Sequence, residues 1–305
     1  MATIRYDQVP LTIHYNDRSE TILAYNCALS EAADLRPIKG IGFKGTAEQT
    51  PQGARTASIS FSYTPVLTGI VDTFLETTGS FNIINELASG LKTSKQSIAS
   101  GVDIVFGGIS GEGLLSSYSL SLTPYSPVQC DVNFELFGSG ENIPVSGSLT
   151  ATEGDKEEQS LAGTVGHSAY SSFMTSGSPA TITNEDQTGI VQSVDYSLNF
   201  QYEPVYKLGK EFPFSFLYHS AEEEASITEN VYQASGIAFT GKNENFHLNI
   251  KALDGSTAMQ LKMDEPVLSN TQVSVDAGGL VNATKQIRSV SVSYTHLTLP
   301  TKRIV

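Results

Sequence analysis

One stretch constrains this chain more than any other. Gly107 to Gly140 reads GGISGEGLLSSYSLSLTPYSPVQCDVNFELFGSG. Its glycines, Gly107, Gly108, Gly111 and Gly113, permit tight or left-handed turns. Alternation follows. Leu115, Ser117, Ser119 and Ser121 fall on one face, and Ser116, Tyr118, Leu120 and Leu122 on the other. Pro124 and Pro127 interrupt the ladder, because proline has no N–H to donate. A second run puts Val128, Cys130, Val132, Phe134 and Leu136 on one face, against Gln129, Asp131, Asn133 and Glu135. Period two with a single apolar face marks half-buried antiparallel strands.

Related segments recur. Gly189 to His219 repeats a Gly, then Tyr196-Ser197-Leu198, then Pro204-Val205 and a second apolar run. A shorter version lies at Ala57 to Val66, with Tyr63 ahead of Pro65-Val66, and Ser289-Val290-Ser291 begins one more candidate strand. Internal duplication and chance similarity among Ser-rich strands both remain open at this level.

Along the chain, Val9 to Ala28 reads as a hairpin turning at Asn16-Asp17. Glu31 to Leu35 has the composition of one helical turn before Pro37, and Lys39 to Arg55 that of a long loop able to reach a neighbouring subunit. Arg55 to Val66 is a strand with Ala57, Ile59 and Phe61 on one side. Then the period changes. Phe81, Ile83, Ile84, Leu87, Ala88 and Leu91 fall on one helix face, with Ser80 as N-cap and Gly90 near the far end. A further turn is possible from Gly69 to Glu76, and Val102 to Phe106 leads back into the alternating stretch. Gly138 to Gly189 is rich in Ser, Thr and Gly and reads as an extended connection with one strand at Val145 to Thr150. Glu222-Glu223-Glu224 reads as a charged turn. Strands are expected at Ser226 to Ala238, Asn245 to Leu253, Met259 to Met263 and Val273 to Val275. The expected organisation is a β-rich lobe over 1–140 with a helix near 80–92, a linker or long loop over 141–188, and a second β-rich lobe over 189–291.

The last 14 residues, 292 to 305, look like a translated sequencing adapter and are expected to be non-native. They carry Lys302 and Arg303 and no acid, so without them the net charge of −14 falls to −16. An acidic chain argues against gripping nucleic acid, which needs a basic footprint, though not against letting it slide past. The N-terminus lacks the basic-then-apolar pattern of a signal peptide, and no apolar run approaches membrane-spanning length. Cys27 and Cys130 are expected as two buried thiols in a reducing compartment.

Chemistry is sparse. His14, His167, His219, His247 and His296 are scattered without metal-ligand spacing, and no CxxC pair, Walker loop or dinucleotide fingerprint occurs. Ser110 sits between glycines in GISGEG, but a strand follows where a nucleophile elbow requires a helix. Asp254, Asp264 and Glu265 read as solvated turn acids, and Glu153, Asp155, Glu157 and Glu158 as a solvated loop. No catalytic, cofactor-binding or metal-ligating residue can be named, and the expectation is a non-enzyme without cofactors. A carbohydrate-binding β-sandwich module stays open, with Tyr118 and Tyr125 as its stacking candidates.

Leu114 to Gly138 and Ser193 to Pro213 resemble virion structural proteins of tailed bacteriophages, tail-tube-like proteins in particular. The resemblance rests on Ser117-Tyr118-Ser119-Leu120, Ser126-Pro127-Val128, Phe137-Gly138, Pro204-Val205 and Leu208-Gly209-Lys210. It implies a mainly β chain of two β-sandwich or half-barrel lobes with one flanking short helix and long loops. It implies rings of the chain itself stacked around a DNA channel, in contact with other tail proteins. Phage DNA would pass without sequence-specific binding, and no membrane would be involved. A two-lobed subunit would form a trimeric ring with pseudo-sixfold symmetry, or carry one lobe outside the tube. The implied location is the virion tail, after synthesis in the host cytoplasm. A head decoration or baseplate protein is the alternative within the same class.

Overall fold

The computed structural model describes residues 4, 8–22, 24–32, 35–39, 41–42, 44, 48–51, 56–63, 72–73, 84, 87–88, 91, 101–123, 128–137, 144–151, 172–173, 189–209, 213–231, 247–251, 257–263, 266–275, 277 and 279–292. The chain is mainly β.

It opens with the hairpin of β1 (Leu11–Tyr15) and β2 (Arg18–Ile22). Its turn residues Asn16 and Asp17 have φ of 48° and 61°, the left-handed pair of a two-residue hairpin turn. Next come β3 (Ala24–Ala32), the ribbon of β4 (Leu35–Ile38) and β5 (Glu48–Pro51), then β6 (Thr56–Tyr63) and the short β7 (Asp72–Thr73). β8 (Val102–Phe106) and β9 (Ile109–Leu122) are joined at Gly107-Gly108, whose φ of 55° and 90° give the same turn chemistry. Then follow β10 (Gln129–Phe137), β11 (Ser146–Gly147) and β12 (Ser172–Phe173). The long strands β13 (Gly189–Val205) and β14 (Ser215–Val231) pair with each other along their whole length. β15 (His247–Lys251), β16 (Thr257–Lys262), β17 (Val267–Val275) and β18 (Val281–Val292) complete the set.

The main sheet is open, antiparallel and runs β17-β18-β14-β13-β9-β10-β6-β3. The expected lobes 1–140 and 189–291 are thus joined by backbone pairing, Val194–Asn199 of β13 lying against Ser117–Leu122 of β9. The two Tyr-Ser-Leu segments face each other across that joint, with Ser119 opposite Ser197. One edge of β9 forks. Its first five residues pair with β8 and its last six with β13. A smaller sheet orders β12-β15-β16-β7, its β7–β16 pair parallel.

Register explains the core. One row runs Ala24, Tyr63, Cys130, Leu120, Tyr196, Ala225, Ile287 and Leu268, one residue from each of the eight strands. All but Ala24 are buried. Ile84, Leu87, Ala88 and Leu91 are helical and buried in the same core, as the three- and four-residue spacing requires. The other positions of that helix face, with Ser80 and Gly90, lie outside the described residues.

Several expectations change. Glu31 and Ala32 end β3, and Leu35 begins β4, so no helical turn occupies the described part of 31–35. Ser30 Oγ bonds Ser58 Oγ at 2.9 Å and holds β3 to its ladder. The segment 39–55 is not wholly loop, because Glu48–Pro51 pairs with Leu35–Ile38. Leu115 lies on the same face as Tyr118 and Leu120. A bulge at Ser116 places Leu115 opposite Phe134 and flips the alternation. Glu222, Glu223 and Glu224 lie in mid-β14, clamped between β13 and β18. Pro204-Val205 continues β13 instead of breaking it. Past Asn199 the second edge of β13 has left β9, so a missing N–H costs no ladder bond there. Ser289 belongs to the end of β18, not to a strand's start, and the strand expected at 145–150 is only Ser146–Gly147.

Candidate functional site

The face opposite the core is where this chain presents chemistry. β6 offers Ser58, Ser60 and Ser62, β9 Ser117, Ser119 and Ser121, and β10 Gln129, Asp131 and Asn133. β13 adds Asp195, Ser197, Asn199 and Gln201. Strict alternation puts them there, because their neighbours Ile59, Phe61, Leu120, Val132, Tyr196 and Leu198 are buried on the other face. One row crosses all eight strands as Asn26, Ser62, Asp131, Ser119, Ser197, Glu224, Arg288 and Val267.

Several of these groups bond to each other or to close neighbours. Ser62 Oγ donates to Asp131 Oδ1, and Ser62 N donates to Asn26 Oδ1 at 3.0 Å. Gln129 Nε2 donates to Asp131 Oδ1 at 3.1 Å. Asn133 Nδ2 donates to Ser116 Oγ at 2.8 Å. Ser121 Oγ donates to Asp195 Oδ1 at 2.7 Å across the joint between β9 and β13. Gln201 Nε2 donates to Glu222 Oε1 at 2.6 Å, and Arg288 Nη2 meets Glu224 Oε2 at 3.2 Å. Five carboxylates, Asp131, Glu135, Asp195, Glu222 and Glu224, share this face with the guanidinium of Arg288 among the described residues. An open, shallow groove of about 350 Å³ runs over Asn26, Ser60, Ser62, Ser117, Ser119, Asp131 and Asn133. It has the shape of a wall, not of a pocket that buries a ligand.

A second groove, of about 600 Å³, lies over β1, β2, β8 and β9. Register sets Ser19, His14, Asp103 and Glu112 side by side across four strands. Sequence reasoning did not find this row, since only strand pairing brings residues 14, 19, 103 and 112 together. Nucleophilic catalysis needs a serine hydrogen-bonded to the imidazole, and His14 makes no hydrogen bond to Ser19 or Asp103. Burial raises the pKa of Glu112, and the Asp103 charge directly opposite adds to the rise. A raised carboxyl pKa stabilises the fold below the unfolded-state value, and that contribution is lost as pH climbs through the folded value. Glu112→Gln should therefore stabilise the protein at neutral pH by up to about 1 kcal/mol, the scale of opposed like charges in a sheet. Urea titrations at neutral and acid pH check this, and the gain should vanish at acid pH.

The other sequence candidates disperse. Ser110 lies in β9 opposite Ser146, their hydroxyls 3.2 Å apart. Tyr118 is fully buried, its hydroxyl 3.2 Å from Cys130 Sγ, so it cannot stack on a sugar, and that part of the carbohydrate reading falls. Tyr125, His167, His296, Asp254, Asp264, Glu265 and the cluster 153–158 lie outside the described residues. His219 bonds Glu203 at 3.0 Å on the surface. Both cysteines are free. Cys130 is buried, whereas Cys27 is only half-buried, and burial pushes its thiol up to about 12. Among the described residues no three His, Cys, Asp or Glu side chains come together as metal ligands, and no helix is long and apolar enough to cross a membrane. A scan against protein-family models finds no match to this sequence, and a search of curated proteins finds none.

Proposed function

We propose that this chain is a structural subunit of a bacteriophage tail, a tail tube protein whose copies assemble into rings around a DNA channel. The observation that carries the reading is the polar face of the sheet. It is a broad wall of hydroxyl and amide groups with a net acidic balance, bordered at one end by the small apolar cluster of Leu114, Phe137 and Phe216, while the opposite face takes the core and the helix. A duplex moving past such a wall meets hydroxyls and amides, several of them engaged with one another, and carboxylates that repel its phosphates. Catalysis would instead call for a converging pocket. The resemblance of Leu114–Gly138 and Ser193–Pro213 to tail-tube-like proteins points the same way.

Electron microscopy of the purified protein at high concentration tests the reading, with rings or tubes around a central channel as the expected image. A chain that stays monomeric throughout would overturn it. The lining has its own test. Assembled wild-type protein should not retain a short DNA duplex at physiological salt. Assemblies of an Asp195→Lys, Glu222→Lys variant should retain it, and release it as salt rises from about 50 to 200 mM. Tight duplex binding by the wild type would contradict a repelling lining.

A further inference from the structure

We infer that copies of this chain join head to tail, strand β17 of one copy pairing antiparallel with strand β3 of the next. This names the partner and the joint for the tube reading, and it rests on that reading for its purpose. The main sheet divides into two four-strand units, β3-β6-β10-β9 and β13-β14-β18-β17. Counting the strands of each unit in chain order, both place them first, second, fourth, third. Every neighbour is antiparallel, so both units also run in the same strand directions. The units are related by a shift along the sheet, and the end of the first, β9, pairs with the start of the second, β13. The molecule thus already contains one joint between the end of a unit and the start of the next. The same two ends remain open at β17 and β3. Among the described residues no strand pairs with the outer edge of either.

Those two edges carry one bulge each, at Tyr25 and Ser269, and otherwise little of the usual protection. Edge strands are normally blunted by charge, proline or short length. β17 has nine residues with neither charge nor proline, and β3 has nine with Glu31 as its only charge. The side chains also match. By register Val273 and Val275 lie on the core face of β17, and they are 39% and 67% exposed. Cys27 and Leu29 lie on the core face of β3 and are half-buried. At the internal joint the corresponding layer holds Leu120 and Tyr196, 1% and 2% exposed. Joining β17 to β3 extends that apolar layer across the boundary and keeps the polar wall on one side. An even number of strands leaves the two edges opposite in direction, so the contact is heterologous, and a ring closes it without leaving a bare edge.

The test uses full-length variants with a charge placed in the joint's apolar layer, Val275→Lys on β17 and Leu29→Lys on β3. Each alone should raise the concentration needed for assembly at least about 100-fold, with circular dichroism and thermal unfolding verifying the fold. Ala28→Lys, at an exposed site on β3, replaces Leu29→Lys if that variant does not fold. Mixed one to one, the variants should form heterodimers in sedimentation velocity, because one retains an intact β17 and the other an intact β3. Homodimers of either variant would mean a twofold joint and overturn the proposal. Ring formation by both variants at wild-type concentrations would also overturn it, while leaving the tube reading intact. Failure of the wild type itself to assemble would remove both.

Discussion

Replacing Lys285 with methionine is expected to destabilise the protein by about 3–5 kcal/mol, the cost of leaving a buried charge without its partner. Lys285 and Glu229 lie on the core face of β18 and β14, their side chains 3% and 4% exposed, with Nζ 2.6 Å from Oε1. Salt bridges on a surface contribute little. Here both charges have left water, and each is tolerated because the other is present. Across the β14–β18 pair their neighbours Ile227 and Ala283 are apolar and fully buried, while Thr271 of β17 lies opposite Lys285. The double variant Lys285→Met, Glu229→Leu should recover most of the loss, since an apolar pair of similar volume often equals or exceeds a buried ion pair. Urea unfolding of the wild type, the single and the double variant measures both effects. High salt should change the single-variant loss little, because a buried pair is poorly screened. A loss under about 1 kcal/mol would mean that water reaches the site.

Phe134→Ala should cost a similar amount, about 3–5 kcal/mol. Phe134 is fully buried in β10 and stacks on Phe61 of β6 with centroids 6.2 Å apart and planes at 14°. Phe61 in turn contacts Tyr63 at 6.0 Å. Removing the ring opens a void in a layer held by backbone pairing on both sides, where neither strand can move in to fill it. Tyr118→Phe is the useful contrast. It keeps the ring volume and deletes only the hydroxyl near Cys130, at a cost of about 1 kcal/mol. Equal losses for the two variants in thermal or urea unfolding would contradict the packing account.

Much of the sheet was legible because alternation is a local property. The strand faces of β6 and β10, the turn at Asn16-Asp17 and the helix face at Ile84, Leu87, Ala88 and Leu91 all follow from the spacing of apolar residues. The misreadings have a common cause, which is that partners from elsewhere overruled local composition. Three glutamates in succession read as a turn, yet β13 and β18 hold them extended, and Glu223 is buried. The bulge at Ser116 is invisible in a strand read alone, since it exists only relative to β10. The ion pair of Lys285 with Glu229, and the row of Ser19, His14, Asp103 and Glu112, join residues far apart in sequence through register. No spacing rule on a single strand reaches them. The alternating stretch at Gly107–Gly140 did mark the centre, because β9 pairs with four other strands.

The fork in β9 has a mechanical consequence. Within the main sheet the two four-strand units are stitched along Val194–Asn199, whereas β13 and β14 are stitched along Gly189–Val205. Tension applied across the width of the sheet concentrates on that short seam, with few amide bonds to share it. The hinge of the main sheet under load is therefore the place where the two Tyr-Ser-Leu segments meet.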